Sequence, residues 1–368
     1  MSLRIGRRSF LASLPVCLAA ERLLAQGGLP QIRVDGLSQL TLTVSDPGRS
    51  IAFYQGLFGM PIQAQQGTTT LLRIGDGPRF LAIVPAEPGE RPSISRFGMG
   101  VEQFDVDSVL TILARHGVSP AGDGDLGQSG GPMKVRVTTR GETREVFVGD
   151  PSGIVFQLHD ASYCGGSGPL GHVCQPQPAP GRGLIALKDM SHFTINATDP
   201  RTTGFYEQLF GLPVQAMQAT TPAYGVGPGV HFLMFIGGGG ARGRGAAAGR
   251  AGATPPPGAP DAPGRGAAPG RGGVPPGPRI DHACMSLEGF ELKGLLETLG
   301  SYGVKPSDTG RSGGPLTSWV SVRPESRGGA PITGTPELYF SDPDGLSIQL
   351  QDTKYCGGGG YLGDVCPG

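Results

Sequence analysis

An excess of either charge is missing from this chain of 368 residues, where 30 lysines and arginines balance 30 aspartates and glutamates. Outside its low-complexity stretch nothing is basic enough to track a phosphate backbone, so a nucleic-acid partner is not expected. A membrane-spanning apolar run is missing as well. Leu11 to Ala20 is too short and too interrupted to cross a bilayer permanently. Cysteine is scarce, at six residues, and no pair has CxxC spacing, which argues against a redox or zinc pair.

What is plentiful is glycine, 65 residues, and proline, 35. Much of that excess sits in residues 237–279, where 34 of 43 residues are Gly, Pro or Ala, six are Arg and Asp261 is the single acid. Such a stretch cannot bury enough apolar area to offset the entropy of ordering it, so a disordered insertion is expected there. Its arginines suit an anionic surface or polymer, though a solvated insertion is the simpler expectation.

Residues 1–25 read as a targeting segment. Arg7-Arg8-Ser9-Phe10-Leu11 ahead of a modest apolar region resembles a twin-arginine export signal. Cys17 lacks the small residue before it that a lipid anchor wants, so no permanent membrane anchor is expected. Removing the segment leaves a net charge near −3, because it carries four arginines and one glutamate. Export to the periplasm, or another oxidising space, changes how the cysteines read. Tyr163-Cys164-Gly165-Gly166 runs to Cys174, and Tyr355-Cys356-Gly357-Gly358 runs to Cys366. Two local disulfides follow as the expectation, Cys164–Cys174 and Cys356–Cys366.

That repeated spacing is one block of a tandem duplication. Leu37 to Pro47 matches Met190 to Pro200, and Phe53-Tyr54 through Gly59 matches Phe205-Tyr206 through Gly211. Gly127 to Pro132 matches Gly310 to Pro315, and Asp150 to Gly153 matches Asp342 to Gly345. Chance does not place five such blocks in one order. The copies are bounded at 37–174 and 187–368, with a Pro/Gly-rich linker at 175–186, and each is long enough to bury a core of its own.

Within one copy, Leu37 to Val44 alternates apolar and polar, the mark of a half-buried strand. Asp46-Pro47 then supplies a helix cap and a first-turn proline, and Gly59 a stop. Strands are expected near 61–65, 68–74 and 79–84. A second strand begins near Arg96, with a helix from about Val106 to His116 and strands near 133–139, 144–148 and 154–159. Each copy is therefore two βαβββ units, an α+β fold. The polar strand face, Gln39, Thr41 and Thr43 or His192, Thr194 and Asn196, should look into water or a cleft.

The strand–Asp–helix opening with its Phe-Tyr and Leu-Phe-Gly, together with Asp-Pro-Asp-Gly before a last strand, resembles the vicinal oxygen chelate superfamily. That group includes glyoxalase I, the bleomycin-resistance proteins and the extradiol dioxygenases. The resemblance implies two tandem domains of this fold, whose four units make a monomeric pseudo-dimer, or a homodimer, that binds a small molecule. Metal-dependent members of the group ligate a divalent ion from the first strands of two units and from a last strand, as His, His and Glu in extradiol enzymes. By position the second copy offers His192, His282 and Gln349 as metal ligands for Fe, Mn or Zn. The first offers Gln39, Arg96 and Gln157, so no metal is expected there.

Gln349 replaces the carboxylate that would neutralise the ion. Cys284, two residues after His282, could complete a set, and with Thr194 and Asn196 it is a candidate for the substrate cleft. His231, as ligand or base, and Glu337 and Tyr339 are the open candidates for catalysis. His116, His159 and His172 read as surface or turn residues. Two functions remain open: a metal-dependent dioxygenase or lyase/isomerase acting on vicinal oxygens in the second copy, and a metal-free protein that sequesters a ligand.

Overall fold

The computed structural model describes residue 29 and residues 31–237, 277–309, 312–323 and 334–366. The export signal expected at 1–25, and the insertion apart from residue 237 and residues 277–279, lie outside them. The first unit is β1 (Val34–Val44), α1 (Pro47–Phe58), β2 (Ile62–Gln66), β3 (Thr69–Arg73) and β4 (Phe80–Pro85). Asp46 starts α1 by accepting from the Arg49 N–H at 3.0 Å, with Pro47 in the first turn, and Gly59 ends it at φ 66°. The second unit is β5 (Ser93–Val101), α2 (Val106–Arg115), β6 (Ser119–Pro120), β7 (Lys134–Arg140), β8 (Thr143–Gly149) and β9 (Val155–Asp160).

The second copy repeats this as β10 (Asp189–Asn196), α3 (Thr202–Phe210), β11 (Val214–Gln218), β12 (Thr221–Gly225) and β13 (Phe232–Ile236). Its second unit is β14 (Arg279–Leu287), α4 (Leu292–Ser301), β15 (Lys305–Pro306), β16 (Thr317–Arg323), β17 (Thr335–Ser341) and β18 (Ser347–Asp352). Each copy folds into one nine-stranded sheet, in the order β2-β3-β4-β1-β5-β9-β8-β7-β6 and, nine strands on, β11-β12-β13-β10-β14-β18-β17-β16-β15. The first strand of every unit lies parallel to its last, and the two units of a copy meet through an antiparallel pair, β1 with β5 and β10 with β14.

The expectation that each copy buries its own core is corrected: one apolar cluster runs through both. Two helices cannot cover nine strands, so the apolar faces cover each other. Phe97 of β5 meets Phe193 of β10 with ring centroids 5.2 Å apart. The helices cross the seam. Phe53 of α1 packs on Tyr302 and on Phe340 of β17, while Tyr206 of α3 packs on Phe97 and Phe156 of the first sheet. Two buried hydroxyls finish the exchange, Tyr54 donating to Asp342 at 3.2 Å and Tyr206 donating to Asp150 at 3.3 Å. The linker is docked on this body. The Gln177 N–H donates to the Ile62 carbonyl at 2.7 Å, and Gly183 lies so close to Phe58 and Gly59 that a Cβ would collide.

Candidate functional site

Side chains directly opposite each other on paired strands share a face. On the second sheet, register therefore lays Phe232, His192, Cys284, Gln349, Tyr339 and Trp319 in one row across six strands. Thr194 and His282, themselves opposite each other, sit one step along. This is the face turned from the shared core. It is not open to water, because His192, Thr194, His282, Cys284 and Gln349 are all buried.

The disulfide loop covers it. Cys356–Cys366 is bonded, as is Cys164–Cys174. Tyr355, at the loop's start, places its ring 5.5 Å from His192 and 5.9 Å from Phe232. Its hydroxyl donates to Glu337 Oε1 at 3.0 Å and accepts from Gln218 Nε2 at 3.1 Å, and Arg323 Nη1 donates to the Gly357 carbonyl at 2.7 Å. The first copy repeats the device. Tyr163 donates to Glu145 Oε1 at 2.5 Å, and Arg140 pairs with the same carboxylate at 3.1 Å.

That recurrence bears on Glu337. It was a catalytic candidate, yet Arg323 Nε at 3.1 Å and the hydroxyls of Tyr355 and Tyr339 take both its oxygens. Its counterpart Glu145 has the matching tyrosine and arginine, Tyr163 and Arg140, in the copy without a histidine pair, so that part of the group holds the loop in place, while the Tyr339 contact is the second copy's own, Phe147 standing in its place. His231 is placed at the seam between the copies. Its Nδ1 accepts from the Leu37 N–H at 3.2 Å and its Nε2 faces Asp189 at 3.4 Å, with Arg79 on the same carboxylate at 2.6 Å. It is therefore a clamp between the copies. Asn196 sits at the sheet rim, where its amide, with oxygen and nitrogen exchanged, donates to the Ile236 carbonyl at 3.2 Å and accepts from Arg279 Nη1 at 2.7 Å. His159, expected at the surface, is buried under the Tyr163 ring and bonded to Ser38 at 3.0 Å, whereas His172 is exposed.

The remaining candidates do converge. The His192 ring lies flat on Phe232, 4.2 Å between centroids at 9°, with Nδ1 against Ser191 Oγ at 3.1 Å. Burial and then the neighbouring His282 push its pKa well down, so it is a neutral imidazole. His282 stands edge-on to it at 5.5 Å and sets Nδ1 against Asp281 Oδ2 at 3.2 Å. Gln349 lies against His192, where it props the ring's pKa up slightly, but neither amide atom completes a hydrogen bond. Tyr339, edge-on to His282 and stacked on Trp319, and the Cys284 thiol are pushed well up by burial, so both stay protonated.

Among the described residues no three His, Cys, Asp or Glu side chains are placed to hold a metal ion. The set at hand is two imidazoles and an amide. It fits a divalent ion on two observations: each imidazole has its Nδ1 engaged by an outer partner, as ligating histidines do, and the Gln349 oxygen is buried and unpartnered. One compensating charge is Asp281, reached through His282, and the His282 and Arg279 contacts hold its carboxyl below the usual range. In the first copy Arg96 stands where His282 does, and a guanidinium repels a cation.

Sequence reasoning missed Tyr355, Arg323, Phe232, Trp319 and Asp281. The signal for the first two was present, because Tyr163 and Arg140 occupy the matching positions of the other copy.

Residues 36–158 match the model of the Glyoxalase/Bleomycin resistance protein/Dioxygenase superfamily. The fold is similar to that of the Mn(II)-bound glyoxalase from Novosphingobium aromaticivorans, at 12% identity over 90% of this chain and 83% of that one, with a TM-score of 0.53. It is also similar to homoprotocatechuate 2,3-dioxygenase from Arthrobacter globiformis, at 16% identity over 88% and 81%, with a TM-score of 0.51. The 2,3-dioxygenase LapB from Pseudomonas sp. KL28 matches at 14% identity over 87% and 93%, with a TM-score of 0.50. At such identities the likeness speaks for the fold. No curated protein matches the chain.

Proposed function

We propose that the whole chain is of the glyoxalase/bleomycin resistance/dioxygenase superfamily, whose model matches residues 36–158, and that its second copy binds one divalent metal ion on His192, His282 and Gln349. With that ion it would act on a small substrate carrying two vicinal oxygens. The observation that carries this reading is the unpartnered Gln349 amide beside two imidazoles whose Nδ1 atoms are already engaged, in one copy and not the other. A bound ion would supply a Lewis acid to polarise a substrate oxygen.

The chain's own residues do the rest. Phe232 and Ser191 fix the plane of His192, and Asp281 orients His282. Tyr355 with its loop, Tyr339 and Trp319 keep water off the site, which strengthens every polar contact inside it. Two neutral imidazoles and a neutral amide leave the ion's charge for an anionic substrate to balance, which favours an acidic diol or an enediolate-forming carbonyl compound. The missing carboxylate ligand argues against efficient iron-dependent dioxygenase chemistry. The two disulfides suit an oxidising compartment, and with the Arg7-Arg8 segment they support export of the folded protein.

Manganese, iron(II) or zinc is supplied to the purified protein and bound metal counted by mass spectrometry, then the count is repeated on the double variant His192→Ala, His282→Ala. One equivalent in the first and none in the second is expected. If the unaltered protein takes up none of the three metals, the enzyme reading is lost and a metal-free sequestering protein takes its place.

A further inference from the structure

We propose that the first copy binds a small hydroxycarboxylate on Arg96, at a site separate from the metal centre assigned to the second copy. Arg96 lies on β5 and is 9% exposed. Its Nε is buried with no hydrogen-bond partner, and its guanidinium lies over the Phe147 ring at 5.6 Å. Among the described residues no carboxylate pairs with it. The acid whose charge it feels, Glu145, is committed to Tyr163 at 2.5 Å and Arg140 at 3.1 Å. A buried cation without an anion is costly, and an anion that binds there recovers the cost.

One donor of the guanidinium is already in use. Nη1 donates to Gln128 Oε1 at 2.8 Å, an amide oxygen on an exposed residue of the Gly127 to Pro132 segment. A carboxylate oxygen can accept from the empty Nε, on the edge of the guanidinium that Nε shares with Nη2 and away from Gln128, in a charge-assisted bond. Beside it on β1 stands Gln39, diagonal to Arg96 because Thr41 pairs with Arg96 and Gln39 with Gly98. Gln39 gives its Nε2 to Thr41 at 2.7 Å, while its Oε1 is buried and accepts from nothing. An orphaned acceptor next to an orphaned cationic donor calls for a ligand with a hydroxyl close to its carboxylate. A metal ion would suit the amide oxygen but is repelled by the guanidinium.

Glycolate, acetate and glycolamide are titrated calorimetrically into the full chain after chelator treatment, so that a metal in the second copy cannot hold the carboxylate. Glycolate should bind more tightly than acetate, and glycolamide should not bind. Arg96→Gln should weaken glycolate about tenfold or more, the worth of a charge-assisted bond. Gln128→Ala, which removes an exposed amide from the far edge of the guanidinium, should leave it nearly unchanged. The double variant His192→Ala, His282→Ala should leave it unchanged, which separates this site from the metal reading. Equal binding of glycolate and acetate, glycolate binding that survives Arg96→Gln or is lost in Gln128→Ala, or no binding to the unaltered protein would overturn the proposal.

Discussion

Replacing Asp150 with asparagine tests how the two copies are joined. Asp150 is buried in the seam, where it accepts from the Ile154 N–H at 2.9 Å and from the Tyr206 hydroxyl at 3.3 Å. Burial raises its pKa to about 7, and these hydrogen bonds offset that only in part. An acid whose folded pKa stands above its unfolded value keeps a proton in the native state that the unfolded chain has lost. Its contribution is therefore complete below about pH 4 and is lost as pH rises toward 7. Three units at 1.36 kcal/mol each make the loss on the order of 4 kcal/mol at most.

Asparagine keeps an acceptor and carries no charge, so its curve lacks this slope. Urea unfolding of both proteins at several values between pH 4 and 7.5 gives the difference in stability, and every other titrating group cancels in that difference. The variant should gain on the unaltered protein as pH rises. A difference that stays constant across the range, or that shrinks, refutes the account. Asp342, raised to about 6 across the pseudo-symmetric contact with Tyr54, should behave alike with a smaller amplitude.

Two further outcomes follow from the packing. Cys356→Ser with Cys366→Ser opens a loop closed over a separation of 10 residues, for which the chain-entropy relation gives about 2.7 kcal/mol; denaturant unfolding should show a loss near that size, and an unchanged midpoint would contradict it. Gly56→Ala should destabilise the protein by about 1–2 kcal/mol despite alanine's better helix propensity, because the added methyl collides with the Tyr302 hydroxyl that donates to the Phe53 carbonyl at 3.0 Å across the seam; a higher melting temperature in a calorimetric scan would count against that contact.

Much of the fold was legible because local signals agree with each other. Asp46, Pro47 and Gly59 bound α1 by capping chemistry that needs no partner, and the alternation of Leu37 to Val44 has the period of the strand it becomes. The duplication carried the topology, since a pattern read once in one copy could be checked in the other. The candidate site was legible only at its backbone positions. His192, His282 and Gln349 fall on the face that strand register dictates, but Glu337 and His231 were drawn to chemistry that the structure gives to a loop anchor and an interdomain clamp. A side chain's neighbours across the sheet, or across a domain seam, leave no local trace.

The amino-acid sequence by itself determined the two copies, the order of strands and helices in each and the loops that Cys164–Cys174 and Cys356–Cys366 close. It also determined the asymmetry by which one copy keeps two histidines and the other an arginine. These depend on short-range periodicity, capping and spacing. Only the tertiary structure decided that the copies share one core, that Tyr163 and Tyr355 fold back over the polar faces, and which buried donors and acceptors are left without partners. Those are sums over contacts between residues far apart in the chain, fixed when the sheets pack.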